Sequence, residues 1–504
     1  MVSEGRQKSC SVLHKPVFWL GVIILTAAAA RVYHITYPPF DTWAFRQTAT
    51  AGLIRDYYRH GINIFYPTLI TLGKPGYMVQ EFPLYQALSA LLYKIFIPSL
   101  ITARIFTIIT GLLSAWFVYR ISIRFLDKRS SLLASFFFAF MPLDIFFQRV
   151  PMQDPLTVLL SLMMLDFFIE GIEGKKFYFI PGALAASLGL MMKSPFIGPL
   201  FLPVLYLAWK KRGRPGAAQS YAGLLLAFVI PAAAMVLWQR HANFVNDIYC
   251  RKDGYPFKDI YPTLVVKLHP FNTWYFGTVG QRLEMANYLL LLRRAAMYVL
   301  TPIGAAFFAA GAVRLALEKR GAFLFIWLFS LCAMVMMIFN LYVVHNYYLL
   351  PFCPVLAVFC GAGAGLLLDY MDKHGRAVSA VSALVIAAAF LLSGTSIAKG
   401  FYNGNGLIGI GEFIGQHTQR GALVAVASPD TNLYSPVQLY FADRHGFAVP
   451  LDRMNGQMMD YLRSQDVRYL AKIEPAGYTI TTRIYDISGK EPVLVASSTG
   501  HAGP

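Results

Sequence analysis

The sequence predicts a polytopic all-α membrane protein of about 11 or 12 transmembrane helices, followed by a small extracytoplasmic α/β domain. Of its 504 residues, 57% are hydrophobic and only 14% are charged, and its mean hydropathy is +0.51. Soluble domains average about 45–50% apolar residues, so a soluble globular protein is excluded. The apolar residues also collect into runs of bilayer length, which end near residue 398.

Eleven apolar runs of spanning length are predicted, and a twelfth is shorter. The eleven lie at about 16–35, 102–123, 131–148, 155–171, 177–193, 195–210, 220–239, 295–313, 322–340, 347–368 and 377–397. The twelfth, at 82–98, contains Gln86 and Lys94 and could cross the membrane, re-enter it or lie in the interface. The basic stretch before the first run is not followed by a small-residue cleavage site, so we expect a retained first span.

The basic residues predict the orientation of the chain, because cytoplasmic loops collect Lys and Arg. If run 82–98 does not cross, six basic clusters fall on one side. They are Arg6/Lys8/Lys15, Arg120/Arg124/Lys128/Arg129, Lys175/Lys176, Lys210/Lys211/Arg212/Arg214, Arg314/Lys319/Arg320 and Lys373/Arg376. The net charge of +18 therefore reflects topology, and nucleic-acid binding is discounted.

This arrangement places the polar segments together on the outer face. They are the first outer loop (36–82), the turn at 149–154, Lys193, the later outer loop (240–294) and the turn at His345. The five cysteines are scattered and predict neither a disulfide framework nor a metal motif. We expect a transmembrane domain over 1–398 and an extracytoplasmic α/β domain over 399–504. In the second domain, strands are predicted at 423–427, 468–473 and 493–496, and a helix at 457–464. Breaks between these elements are predicted at Pro429, Pro436, Gly446 and Gly477.

Three acids stand at the outer ends of predicted helices. Asp41 and Asp154 each precede a predicted helix, so each is either an N-cap or a functional carboxylate. Glu81 lies where the chain returns to the apolar phase, where an ionisable group is costly. Its alternative is a helix cap or a partner for Lys74.

Two further outer segments have basic or aromatic residues. Lys193 ends a span, where it would either snorkel to the headgroups or bind a lipid phosphate. The turn containing His345 and Tyr347 is either an aromatic interfacial belt or a hydrogen-bonding site for a phosphate or a sugar. The sequence contains no Walker loop, dinucleotide-binding glycine motif, HExxH or GxSxG, so nucleotide-driven and triad chemistry have no support.

Together, these motifs resemble the GT-C glycosyltransferases of family 39, which include protein O-mannosyltransferases and lipid A aminoarabinose transferases. The resemblance covers about residues 15–370. It rests on five motifs: Asp41 with Trp43, Arg46-Gln47 and Asn63-x-Phe65-Tyr66-Pro67; Glu81-Phe82-Pro83; Arg149 to Asp154; Lys193-Ser194-Pro195; and His345-x-Tyr347-Tyr348-x-x-Pro351. Thr42 and Phe82 stand where relatives often have an acid and a lysine.

The resemblance implies a GT-C-like fold and transfer of a sugar from a polyprenyl-phosphate donor to an extracytoplasmic lipid, glycan or protein by inverting displacement. It implies Asp41 as the base, with Arg46 and Gln47 in support. Glu81 and Asp154 would position sugar or acceptor hydroxyls or an ion, and Lys193, Arg149, His345 and Tyr347 would bind the lipid phosphate.

The expected location is a bacterial inner membrane, with the site and the C-terminus facing the periplasm or exterior. Membrane lipids are expected partners. No nucleotide is needed, and no cofactor is indicated with certainty. Two carboxylates with water leave a weak divalent-metal site open, although His241 and His269 in the later outer loop are the only evident histidine candidates. The alternatives are a flippase or transporter of lipid-linked saccharides, which would place its polar groups near the midplane, and a ligase or polymerase using the same lipids.

Overall fold

The computed structural model describes residues 16–213, 217–250, 273–318, 321–402, 408–477 and 479–501. Its helices before residue 251 are α1 (Pro16–Val32), α2 (Ala44–His60), α3 (Leu84–Ile95), α4 (Leu100–Ser122), α5 (Lys128–Phe140), α6 (Pro142–Phe147), α7 (Asp154–Ile172), α8 (Phe179–Ile197), α9 (Phe201–Lys210) and α10 (Ala217–Tyr249). Those that follow are α11 (Thr273–Phe276), α12 (Val279–Leu283), α13 (Met285–Arg294), α14 (Thr301–Leu317), α15 (Ala322–Met337), α16 (Phe339–Val344), α17 (Phe352–Asp372), α18 (Arg376–Lys399), α19 (Ile408–Gln416), α20 (Thr431–Ala442) and α21 (Gly456–Ser464).

The predicted fold class is confirmed, with fewer long spans than expected. Seven described helical stretches are long and apolar enough to cross a membrane. They are Leu100–Ser122, Asp154–Ile172, Lys176–Lys210, Tyr221–Tyr249, Met285–Leu317, Phe352–Asp372 and Arg376–Lys399. Two apolar helices, Pro16–Val32 and Ala322–Met337, are shorter. The chain is an integral membrane protein.

Two predicted boundaries are wrong for local reasons. The run at 131–148 is not one helix, because α5 ends at Phe140 and Pro142 begins α6. Proline lacks the N–H that would continue the helical hydrogen-bond ladder. The later outer loop begins about ten residues after the predicted position 240, because α10 continues to Tyr249. Residues 251–272 of that loop, including His269, lie outside the described residues.

The length of helix α3 shows whether the ambiguous run at 82–98 can cross the membrane. It has 12 residues, which at 1.5 Å per residue is roughly 18 Å, well short of the roughly 30 Å hydrocarbon core. It packs against α2 and α4. Its last turn and the residues after it expose Leu91, Ile95, Phe96 and Ile97. The segment is therefore too short to cross as a helix, which supports the arrangement inferred from charge.

Residues of several predicted basic clusters form ion pairs with carboxylates at the ends of other helices. Arg124, after α4, lies 3.0 Å from Glu173, after α7. Arg129 of α5 lies 2.7 Å from Asp372 of α17, and Arg314 of α14 also pairs with a carboxylate of α17. These pairs involve the ends of five helices, α4, α5, α7, α14 and α17, which the charge pattern predicted to lie on one side. Arg6, Lys8, Cys10, Lys15, Arg214, Lys319 and Arg320 lie outside the described residues.

Glycines allow α14 and α17 to pack backbone against backbone. A Cβ atom on Gly311 would lie 1.9 Å from the Phe359 carbonyl oxygen, and one on Gly363 would lie 2.0 Å from the Phe307 carbonyl oxygen. Small residues serve the same purpose in many membrane helix pairs, where close van der Waals contact replaces hydrophobic association. These contacts hold the middle of α17 against α14, and the turn containing His345 and Tyr347 lies before that helix.

The C-terminal region forms one five-stranded sheet flanked by short helices. Its strands are β1 (Leu423–Ser428), β2 (Gly446–Pro450), β3 (Val467–Ala476), β4 (Thr479–Asp486) and β5 (Val493–His501), in the order β2-β1-β3-β4-β5. β2 and β3 run parallel to β1, and β3, β4 and β5 are antiparallel. The three predicted strands and the helix at 457–464 are present. Pro436 and Gly446 are not breaks, because they lie inside α20 and at the start of β2.

The sheet packs directly on the first outer loop. The backbone N–H of Gly446 donates to the Ile70 carbonyl, and Gly73 donates back to Gly446, at 2.9 and 2.8 Å. Phe40, Ala44 and Ile70 share a buried apolar cluster with strands β1, β3 and β4. The predicted domain boundary at 398/399 falls at the end of α18. The C-terminal region therefore supports the loop that carries Asp41 and Glu81.

Candidate active site

Residues from four of the five predicted outer segments line one cavity. It encloses about 680 Å³ of empty space, including its open mouth. Its charged wall residues are Arg46, Glu81, Asp154 and Lys193, and Tyr347 lies among them. The structure thus brings together five residues that the sequence selected from distant positions.

Arg46 and Glu81 form the more accessible charged pair. Arg46 lies in the first turn of α2, and its guanidinium is 3.8 Å from the Glu81 carboxylate, with side chains 33% and 31% exposed. The residue after Glu81 is anchored, because the Phe82 N–H donates to the Met191 carbonyl at 3.0 Å. Lys74 is not the partner of Glu81; its ammonium contacts the Gly421 carbonyl at 3.4 Å. Both charges of this pair remain available to a ligand in the cavity.

Asp154 and Lys193 form a second, buried pair. Lys193 donates to Asp154, and the two residues are 5% and 2% exposed, respectively. The ammonium also lies over the rings of Tyr347 and Tyr348, at 4.6 and 4.5 Å from their centroids. Neither alternative reading is observed: Lys193 does not snorkel, and Asp154 is not an N-cap because α7 begins at that residue after Gln153.

Helix α8 is interrupted at Lys193. Its backbone angles are φ −160° and ψ 86° inside an otherwise helical stretch. Pro195 follows two residues later and lacks the N–H for a helical hydrogen bond. The break lies where the sequence predicted the end of one span and the start of the next.

Asp41 lies outside the cavity wall. Its carboxylate accepts hydrogen bonds from Gln47 and from Arg149, the latter at 2.5 Å, and the residue is 3% exposed. It is not an N-cap, because α2 begins at Ala44 and Trp43 occupies the cap position with φ 65°. The role of Asp41 as the base stays a prediction. To act, its carboxylate would have to exchange Arg149 for the acceptor hydroxyl.

Arg149 also faces internal partners. Its guanidinium donates to the His34 carbonyl at 2.6 Å and to Asp41, lies over the Tyr402 ring at 4.6 Å, and is fully buried. It does not line the cavity. The geometry therefore gives Arg149 a partner in Asp41, and its contact with a lipid phosphate stays a prediction.

His345 is buried beside the cavity without lining it. Its ring lies 5.0 Å from that of Trp43 and 6.2 Å from that of Trp274, measured between centroids. Burial, reinforced by the positive charges of Arg46 and Lys193, lowers the pKa of His345 to about 3. The imidazole is therefore neutral near pH 7. The turn is not an exposed interfacial belt, because His345 and Tyr347 are only 7% and 0% exposed.

Sequence reasoning missed the neutral polar residues of the cavity. Gln86 of α3 and Gln153 before α7 line it, together with Thr50, Thr68 and Gln80. The sequence offered one signal for Gln86: a polar residue within an apolar run. Its position on the buried face of a short helix depends on packing against α2 and α4, which sequence alone did not reveal.

The described residues contain no group of three or more His, Cys, Asp or Glu side chains arranged to hold a metal ion. The two cavity carboxylates already face cations, since Glu81 lies beside Arg46 and Asp154 accepts from Lys193. His241 instead contacts the Phe65 carbonyl at 2.7 Å. This donor set does not favour a divalent ion, and we derive no step through one.

One family model matches part of this chain. A sequence model of the family described as dolichyl-phosphate-mannose-protein mannosyltransferase matches residues 75–238. A search of curated proteins finds no match.

Solved structures provide the broader likeness. The apo oligosaccharyltransferase of Archaeoglobus fulgidus is 13% identical, with a TM-score of 0.58 over 92% of this chain and 70% of that chain. ArnT from Cupriavidus metallidurans bound to undecaprenyl phosphate is 12% identical, with a TM-score of 0.58 over 91% of this chain and 93% of that chain. The archaeal oligosaccharyltransferase AglB from Archaeoglobus fulgidus, in complex with an inhibitory peptide and a dolichol-phosphate, gives a TM-score of 0.57 at 13% identity, over 91% of this chain and 69% of that chain.

At these identities the likeness establishes the fold, which extends across nearly the whole chain. The family model covers the end of the first outer loop, the 149–154 turn and Lys193. The GT-C resemblance inferred from the sequence motifs is therefore confirmed.

Proposed function

We propose that this chain is a membrane glycosyltransferase that moves a hexosyl or pentosyl group from a polyprenyl-phosphate donor to an extracytoplasmic lipid, glycan or protein. The observation that carries the proposal is the cavity itself, where one accessible carboxylate, Glu81, stands beside two cations, Arg46 and Lys193. The fold and the family match support it. The named neighbours include one bound to undecaprenyl phosphate and one in complex with a dolichol-phosphate.

The two cations suit the leaving group. A polyprenyl-phosphate sugar is a phosphodiester with one negative charge, and loss of the sugar leaves a phosphate monoester whose charge grows toward two. Arg46 is the more exposed cation and is suited to bidentate phosphate contact. Lys193 has three donors and spends one on Asp154. Cations fixed where negative charge develops lower the barrier.

The carboxylate suits the acceptor. The acceptor oxygen attacks the anomeric carbon, the bond from that carbon to the phosphate oxygen breaks, and the hydroxyl proton passes to a carboxylate. We assign this proton to Glu81, because its side chain is 31% exposed at the cavity whereas Asp41 is buried against Arg149. Single displacement inverts the anomeric configuration.

Asp154 and Asp41 then act by holding cations in place. Asp154 holds the Lys193 ammonium at the cavity. Asp41 holds the Arg149 guanidinium, and it also holds the start of α2 through its hydrogen bond with Gln47. Preorganised groups of this kind spare the reaction the cost of reorienting dipoles at the transition state.

The proposed location is a bacterial inner membrane with the cavity facing the periplasm or exterior. The support is electrostatic, because Arg124 of a basic cluster pairs with Glu173 just after α7, whereas the cavity residue Asp154 begins that helix at its other end. A lipid-phosphate donor needs no nucleotide, which suits that compartment.

The test is donor turnover. The protein, purified in detergent, is mixed with polyprenyl-phosphate sugars and candidate acceptors, and release of free polyprenyl phosphate is followed by mass spectrometry. We expect release that depends on both substrates. An Arg46→Gln variant should raise the KM for donor, and Arg453→Gln, on the C-terminal domain, is the matched control. Donor binding without release under any acceptor would favour a carrier of lipid-linked saccharides.

A further inference from the structure

A hydrogen bond joins two of the polar segments beside the cavity. The indole N–H of Trp43, in the first outer loop, donates to the side-chain oxygen of Asn346 at 2.7 Å. An indole is only a donor, so the amide oxygen and not the amide nitrogen must face it. Asn346 is only 9% exposed, and a hydrogen bond shielded from water is stronger than one at the surface. The first outer loop and the turn containing His345 are therefore tied together at this point.

The Trp43 ring also contacts the side chains on either side of Asn346. Its centroid lies 5.0 Å from that of His345 and 5.2 Å from that of Tyr347, and the Tyr347 ring is nearly perpendicular to it, at 88°. Edge-to-face contact of this kind stabilises aromatic pairs. The Lys193 ammonium lies over the Tyr347 ring, 4.6 Å from its centroid. Trp43 is therefore connected, through Tyr347, to one of the two cations of the cavity.

The backbone of Trp43 connects it to the other cation, Arg46. The Trp43 carbonyl accepts from the Gln47 N–H at 3.1 Å at the start of α2, and Arg46 lies in the first turn of that helix. Trp43 has φ 65° and ψ 38°, in the left-handed region that bulky side chains rarely adopt. Such a conformation persists only where surrounding contacts hold it, and the hydrogen bond to Asn346 is one of them.

We propose that Trp43 and Asn346 are positioning residues, which fix the separation of the two cavity cations so that both reach one lipid phosphate. The inference rests on the proposed function and deepens it, because it names what holds the phosphate site together. Neither residue lines the cavity, and each acts through a neighbour that does. Arg46 follows Trp43 by three positions. Tyr347 directly follows Asn346 and lies beneath the Lys193 ammonium. A ligand that needs two groups from different segments binds more tightly when their separation is fixed before it arrives.

The test measures binding of polyprenyl phosphate, which requires no turnover. Displacement of radiolabelled polyprenyl phosphate gives Kd for the wild type and three variants in detergent. Trp43→Phe keeps an aromatic ring and removes the N–H donor, and Asn346→Leu keeps the approximate size and removes the acceptor. Each should raise Kd by roughly 3- to 10-fold, the effect of losing one hydrogen bond. The double variant should bind no more weakly than the weaker single variant, because the same interaction is lost in all three.

Two measurements separate positioning from folding. In turnover, KM for the donor should rise by the same factor as Kd, whereas a smaller fraction of folded protein would lower kcat and leave KM unchanged. Trp209→Phe is the matched control for loss of an indole, because Trp209 lies exposed near the end of α9. It should leave both Kd and KM unchanged.

The outcomes are distinguishable. Unchanged Kd in both single variants, or effects that add in the double variant, overturn this inference and leave the proposed function standing. Matched loss of polyprenyl-phosphate binding in the variants, without release from any donor by the wild type, supports the positioning role and overturns the transferase. A wild type that does not bind polyprenyl phosphate overturns both.

Discussion

Replacing Glu81 with glutamine separates the two assignments of the proton acceptor. The substitution keeps the size of the side chain and its ability to hydrogen-bond, and removes its basicity. If Glu81 accepts the acceptor's proton, Glu81→Gln should lower kcat by roughly 10²- to 10⁴-fold, the usual contribution of general base catalysis. Asp41→Asn is the comparison, because the sequence motifs implied Asp41 as the base.

The structure predicts different stability effects for the two variants. Glu81 is 31% exposed and 3.8 Å from Arg46, so loss of its charge should change the free energy of unfolding by about 1 kcal/mol or less. Asp41 and Arg149 have fully buried side chains 2.5 Å apart. Neutralising Asp41 leaves a buried guanidinium without its counter-charge, which costs about 3–5 kcal/mol.

The assay measures two quantities on the same detergent preparations. Polyprenyl-phosphate release at saturating donor gives kcat, and thermal unfolding followed by tryptophan fluorescence gives the apparent midpoint. We expect Glu81→Gln to lose roughly 10²- to 10⁴-fold in kcat with little change in its midpoint, and Asp41→Asn to have a clearly lowered midpoint. Glu412→Gln, on an exposed face of α19, controls for loss of a carboxylate elsewhere.

One result would refute this reasoning. If Glu81→Gln keeps at least half of the wild-type kcat while Asp41→Asn is inactive well below its own unfolding midpoint, the proton acceptor is Asp41. The Asp41–Arg149 pair must then open during the reaction, and the conformation described here is a resting state.

Other predictions follow from the same contacts. Lys193→Met should destabilise the protein by about 3–5 kcal/mol, because it leaves the Asp154 carboxylate buried and unpaired. Adding Asp154→Asn should restore part of the lost stability. A double mutant that is no more stable in thermal unfolding than Lys193→Met would contradict the pairing. The pKa of His345 is lowered from 6.5 to about 3 in the folded protein. The neutral ring therefore contributes fully to stability above about pH 6.5, and this contribution is lost as pH falls toward 3. A His345→Gln variant should show a shallower fall in the unfolding midpoint over that pH range. Gly363→Val should destabilise the α14/α17 contact, because its side chain would meet the Phe307 carbonyl; an unchanged midpoint would argue against that packing.

The contact between the C-terminal sheet and the first outer loop gives a further prediction. Asp56 of α2 accepts a hydrogen bond from Thr68, a cavity residue, at 2.7 Å, and lies 3.0 Å from the His445 ring. Although burial opposes the charge, these contacts lower the pKa of Asp56. Asp56→Asn should therefore loosen the C-terminal region, seen as faster limited proteolysis after residue 399, and should raise KM more than it lowers kcat. Unchanged proteolysis and KM would mean that the contact does not shape the cavity.

The sequence selected charged residues of the cavity but did not indicate how they pair. Lys193 and Asp154 were both selected, but their pairing joins positions 39 residues apart. Asp41 and Arg149 were selected for different roles, and they bond to each other across 108 positions. Gln86 was visible only as a polar residue in an apolar run. Which face of its helix turns toward the cavity depends on how α3 packs on α2 and α4.

The sequence by itself determined the membrane class, the order of most spans, the polar segments that line the cavity, and the sheet-forming character of the C-terminus. These follow from local hydropathy, charge and residue alternation, which can be read within a short window. Only the tertiary structure decided that the Glu81 side chain is exposed at the cavity, whereas the Asp41 carboxylate is buried in an ion pair with Arg149. The exposure and ion pairing of a side chain depend on neighbours that come from distant parts of the chain, and no local pattern encodes them.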